Sequence, residues 1–72
     1  MITDEVLDNW FTYHPPKSDV EISSYQKIRD AAKEFARVIV EATPMSADQT
    51  AAIRKVREAV MTANAAIACG GK

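Results

Sequence analysis

Ser18-Asp19-Val20-Glu21 and Ser46-Ala47-Asp48-Gln49 share one spacing, a serine followed three positions later by Glu or Gln, and each precedes a long stretch of apolar residues at intervals of three and four. In such a capping box the serine oxygen accepts from the amide three residues on, and the Glu or Gln reaches back to the start of the helix. The first box opens a helix predicted over 19–42, with Tyr25, Ile28, Ala32, Phe35, Ile39 and Ala42 along one seam. Pro44 cannot continue it. The second opens a helix predicted over 47–68, in which Ile53, Val56, Val60, Ala63 and Ile67 repeat the spacing, and Gly70-Gly71 supplies a left-handed end. Only Thr43-Pro44-Met45 separates the two. They must therefore fold back on each other as an antiparallel hairpin of roughly 33 Å, from ~1.5 Å per residue over about 22 residues.

A shorter helix is predicted over 4–11, capped by Thr3, with Asp4 and Glu5 favourably placed in its first turn. Tyr13-His14-Pro15-Pro16 ends it, because proline lacks an N–H and holds the preceding residue extended. The expected fold class is all-α, a short N-terminal helix followed by a long helical hairpin in one domain over 1–72.

A chain of 72 residues rarely buries enough surface to be stable without disulfides, a metal or a partner. Cys69 is the single cysteine and His14 the single histidine, so no intrachain disulfide forms and a zinc site is not expected. Oligomerisation is the remaining aid. The second long helix carries a candidate face for it: Ala52, Ala59 and Ala66 lie seven apart, flanked by Met61, Ala65 and Ala68. Alanine is also simply a good helix former, which is the plainer reading of the same stretch. Asn64, a lone amide in that apolar run, must find a partner if buried.

Nine basic residues against ten acidic ones leave a formal net charge of −1, which argues against a binder of duplex nucleic acid. No apolar run reaches the ~18 residues of a membrane span and no basic start leads an apolar core, so a cytoplasmic protein without membrane partners is expected. Catalysis finds no footing either. One histidine builds no triad, the only glycines are the terminal pair, and Asp30 and Glu34 alternate with Lys33 and Arg37 as solvated helix faces do. Neither an enzyme nor a cofactor is expected.

The informative segment is Trp10-Phe11-Thr12-Tyr13-His14-Pro15-Pro16, with three of the five aromatics and two of the three prolines beside the histidine. Trp10 or Phe11 suits the role of a plug for the open end of the hairpin. Tyr13, stiffened by the prolines, suits stacking on a nucleobase. Lys27 and Arg29, near the start of the first long helix, point to different faces. Two copies of Lys27 across a two-fold axis would form a dication beside two copies of Tyr13, fitting a ligand with two phosphates and two bases. The competing reading pairs Lys27 with Asp30 on the surface, as Arg54 suits Glu58.

Phe11-Thr12-Tyr13-His14-Pro15-Pro16, Tyr25 with Ile28-Arg29, Thr43-Pro44, and Ala59-Val60-Met61 with Ala63-Asn64-Ala65-Ala66-Ile67-Ala68 together resemble the phage anti-CBASS cyclic-oligonucleotide sponge family (anti-CBASS protein 2-like). The likeness covers nearly the whole chain. It implies a small helical protein, assembled as a homohexamer in the host bacterial cytoplasm, that binds cyclic dinucleotides such as cyclic GMP-AMP between protomers without cleaving them. Such sequestration starves the effector of the CBASS antiphage response. By position, the resemblance assigns base stacking to Tyr13 and phosphate contact to Lys27, with Arg29 or Lys17 as the neighbouring candidates, and places His14 and Pro15 in the same pocket. Some members are similar in a second, trinucleotide site built from a threonine and an arginine. Here Arg29 stands where the threonine is expected, and Ala68-Cys69-Gly70-Gly71 holds no arginine.

The alternative reading is a helical protein–protein module that grips a partner helix with its alanine and methionine face and takes no nucleotide. It expects function to depend on Met61 and Ala59 rather than on Tyr13.

Overall fold

The computed structural model describes residues 1–72 as three helices and no strand: α1 (Asp4–Phe11), α2 (Asp19–Ala42) and α3 (Ala47–Ala68). Each begins where a hydroxyl takes up an orphan amide. Thr3 Oγ1 accepts from Val6 N at 3.2 Å, Ser18 Oγ from Glu21 N at 3.2 Å, and Ser46 Oγ from Gln49 N at 3.1 Å, the geometry that makes these residues good N-caps.

The reciprocal half of each capping box differs from expectation. Glu21 Oε1 passes over the serine amide and accepts from Lys17 N at 2.8 Å. Gln49 turns away altogether. Its Nε2 donates to Thr43 O and Thr43 Oγ1, both at 3.1 Å, and to Val40 O at 3.3 Å. The carbonyls at the end of α2 lack helical donors, so the Gln49 amide donates to them across the connection instead of accepting from Ser46 N–H. Thr43 Oγ1 in turn donates to Ile39 O at 2.6 Å. One side chain thus fastens the hairpin at its bend. At the other end, Gly70 and Gly71 have φ of 66° and 78°, and Gly71 N donates to Ala66 O at 2.8 Å while Gly70 N donates to Ile67 O at 3.2 Å. That pairing is a Schellman termination, which needs the left-handed backbone glycine adopts without strain.

α2 and α3 pack along their length. Tyr25, Ile28, Ala32, Ala36 and Ile39 are half-buried against Ala52, Ile53, Val56, Val60, Ala63 and Ile67. Phe35, predicted in the seam, is instead 59% exposed. Ala36 lies one residue round the helix and takes the place against α3, leaving the larger ring at the seam's edge. Ala42 is exposed as well.

The molecule is a single layer. Its extents are 45 × 31 × 15 Å, and the shortest is scarcely more than one helix with its side chains, ~10–12 Å across. A stable domain usually needs two packed layers. Accordingly not one of the 72 residues is buried, and the surface is 5895 Å², where a compact monomer of this mass exposes about 4,400 Å². The radius of gyration, 15.3 Å, likewise exceeds the ~11 Å of a compact chain of this length.

Candidate functional site

α1 is too short to hold its place by packing and is fastened to the end of α3 by side chains. Asn9 Nδ2 donates to Cys69 O at 3.4 Å, and Trp10 Nε1 donates to Lys72 O at 3.2 Å. Trp10 shares a shallow hollow with Thr62, Ala65 and Ala66 of α3, so it stands beside the end of α3 alone, 47% exposed, and does not plug the gap between α2 and α3. Phe11 is freer still, at 82% exposed.

Beyond Phe11 the chain turns extended at Thr12, whose N–H still donates to Asp8 O at 3.1 Å. His14 then bends back: its Nε2 lies 2.6 Å from Asn9 O. A carbonyl only accepts, so Nε2 carries the hydrogen. Cys69 Sγ approaches the same oxygen at 3.7 Å. Two donors therefore converge on a carbonyl in the last turn of α1, where the helix itself supplies none. With His14 turned inward, its neighbour Tyr13 stands 81% exposed.

Under the loop, between α1 and the end of α3, is an open cleft of ≈ 650 Å³ lined by Glu5, Asn9, His14, Lys17, Cys69 and Lys72 among others. His14 and Lys17 are the candidate residues it gathers. Tyr13, Pro15, Lys27 and Arg29 line none of the molecule's clefts. Arg29 donates to Gln26 Oε1 at 3.1 Å, and Gln26 Nε2 donates to Asp30 Oδ1 at 2.8 Å. Gln26 thus takes one oxygen of the carboxylate that a surface pair would offer Lys27. The ion pair within the chain is Arg37 with Glu34, at 2.9 Å between exposed groups; Lys27 and Arg54 form none. A complete two-base, two-phosphate site is not assembled in one chain.

The family model of the Acb2/Tad1 hairpin domain matches residues 3–68, from the N-cap of α1 to the last residue of α3. The chain belongs to that family, the anti-CBASS sponges. No curated protein and no solved structure matches it. Nearly all of the hairpin-domain chain is covered, including the Tyr13 loop and both long helices. No helix is long and apolar enough to cross a membrane.

The candidate oligomer face of this hairpin domain divides into separate places. Ala52 and Ala59 line an apolar groove of ≈ 670 Å³ with Ile28, Phe35, Ile39 and Val56. Met61, two positions past Ala59 and so about 200° round the helix, lines a hollow of ≈ 300 Å³ on the other side with Ala32, Ala36 and Ile53. Ala66 lines a third hollow with Trp10. Both faces of the single layer are thus apolar. Asn64, between them, has its Oδ1 shut from solvent without a hydrogen-bond partner.

Asn9 was not singled out in the sequence, although it is the hub of the α1 anchorage. A polar residue on the inner side of a short amphipathic helix, beside apolar Val6 and Trp10, is the signal that points to it.

Proposed function

We propose that the protein is a non-enzymatic sponge that sequesters cyclic dinucleotides, such as cyclic GMP-AMP, between protomers of a homo-oligomer in the infected bacterial cytoplasm, keeping them from the CBASS effector. The observation that carries this reading is the Tyr13 ring, held outward by a loop whose next residue is tied to α1. A large ring left in water on a stiff support favours stacking on a base, because little entropy is lost when it is covered. Lys27, without an anionic partner in its own chain, supports phosphate contact.

The partner chain is part of the proposal. Relative to a compact monomer the hairpin exposes about 1,500 Å² too much, close to the loss at two standard interfaces of ~800 Å² per partner. Two interfaces per chain are what a closed dihedral hexamer uses. Its two-fold axes would bring copies of Tyr13 and Lys27 together, with Pro15 and Arg29 at the margins.

Calorimetry of the full chain against cyclic dinucleotides tests the reading. One ligand per two chains is expected, recovered intact after denaturation. Tyr13→Ala should weaken binding while leaving thermal stability nearly unchanged, since each base stack is worth ~1–3 kcal/mol and the ring supports little of the fold. Titrations silent for every cyclic dinucleotide would remove the proposal. The ≈ 670 Å³ apolar groove favours a second reading, a helix-binding module, in which Ala59→Glu abolishes function and Tyr13→Ala spares it.

A further inference from the structure

We propose that His14 is a positioning residue, which sets the Tyr13 loop by capping the end of α1 and does not itself grip the ligand. This rests on the sponge reading for its consequence in binding, though not for the latch itself. His14 Nε2 is 2.6 Å from Asn9 O, the shortest bond that joins the loop to a helix. On the same residue, Asn9 Nδ2 reaches Cys69 O at 3.4 Å, and Cys69 Sγ reaches Asn9 O at 3.7 Å. Asn9 therefore links three segments, the loop through its carbonyl and the terminus of α3 through both its carbonyl and its amide.

No hydrophobic core does this work, since none of these residues is fully buried. The loop contains two prolines, which contribute no N–H, and Tyr13 makes no hydrogen bond of its own in the fold. What fixes the position of the ring is therefore the bond of its neighbour. A group that donates from the place of Nε2 should serve as well as imidazole. A group that cannot donate should release the loop.

The test measures the latch and the ligand separately. Hydrogen exchange of the free, full-length protein should show the hydrogen-bonded amides of Thr12 and Lys17 losing protection by about tenfold in His14→Ala, with unchanged helicity of α2 and α3. His14→Gln, whose side-chain amide can donate from nearly the same point, should restore most of it. Asn9→Ala removes the bond to Cys69 O and should loosen the same segment with His14 present. It covers the case in which His14→Ala does not fold. Affinity for cyclic GMP-AMP should follow the exchange data, falling about tenfold in His14→Ala and recovering in His14→Gln. Unchanged exchange in His14→Ala overturns the proposal whatever happens to binding. So does a loss of affinity in His14→Gln with exchange as in the wild type, which would mean that the imidazole touches the ligand. A wild-type protein that binds no cyclic dinucleotide, yet shows the predicted exchange pattern, rejects the sponge reading and leaves the latch standing.

Discussion

Replacing Phe35 by alanine should dissociate the protein while leaving the hairpin folded. The ring is 59% exposed, and a phenylalanine offers upwards of ~150 Å² for burial, so about 100 Å² remains for a neighbour to cover. At ~25 cal/mol per Å² that is ~2.5 kcal/mol for each ring. A two-fold contact through the groove of Ile28, Ile39, Ala52 and Ala59 counts the ring twice, which sets an upper bound of ~5 kcal/mol. Allowing half of this for imperfect burial, the dissociation constant should rise about 100-fold. The part of the ring already covered is the smaller part, so the hairpin itself should lose only ~1–2 kcal/mol. Sedimentation velocity over a dilution series reads the dissociation, and far-ultraviolet circular dichroism at the same concentrations reads the helices. If Phe35→Ala sediments like the wild type at every concentration with helicity intact, the groove is not where copies meet.

Gln49 offers a test at the bend. If its amide matters as the clasp on Val40 and Thr43, both Gln49→Ala and Gln49→Glu should lower the midpoint of thermal unfolding by ~5 °C, for a loss of ~1 kcal/mol in a chain of this size; a Glu variant as stable as the wild type would show that the capping-box role dominates instead. Asn64→Leu removes an acceptor that is shut from water and unpaired within the chain. Folding of the dilute monomer should be unharmed or improved, because an unpaired buried acceptor costs ~1–3 kcal/mol. Self-association should weaken about tenfold if a neighbouring chain supplies the missing donor, and sedimentation that matches the wild type would exclude that donor.

The helix starts were legible because a cap is a local event: Thr3, Ser18 and Ser46 each bond an amide three residues ahead, within reach of their own backbone. The seam was legible only as a stripe. Spacings of three and four admit Phe35 and Ala36 alike, and which of them faces α3 depends on the line that α3 takes, a fact of packing and not of sequence. Gln49 shows the same limit in a polar group. Its spacing from Ser46 promises a side-chain oxygen that accepts from the serine N–H, but the bend brings Val40 O and Thr43 within 3.3 Å of its Nε2 as acceptors, and tertiary geometry decides. For His14 the resemblance implies a pocket position beside Tyr13 and Pro15, and the structure adds a bond that the resemblance does not describe. The turn of His14 toward Asn9 O is set by how the Thr12–Pro16 segment folds back, which no periodicity describes.

A site divided between chains carries a thermodynamic signature that a site within one chain lacks. If ligand binds only where two copies meet, ligand and assembly must strengthen each other by the same factor, since binding linkage is reciprocal. Phe35 is on α2, and Tyr13 is on the loop before it. A substitution at Phe35 should nevertheless reduce the apparent affinity for a cyclic dinucleotide at low protein concentration, and saturating ligand should drive the Phe35→Ala chains back together. At a hundred times its dissociation constant a ligand contributes ~2.7 kcal/mol to the state it binds, comparable with the ~2.5 kcal/mol estimated for the substitution. Reassembly should therefore be nearly complete under those conditions. Tyr13→Ala should show the opposite pattern, with assembly intact and rescue by ligand abolished. Equal ligand affinity in dispersed and assembled protein would place the whole of the binding surface on one chain, and neither the exposed tyrosine nor the coreless hairpin would then explain the other.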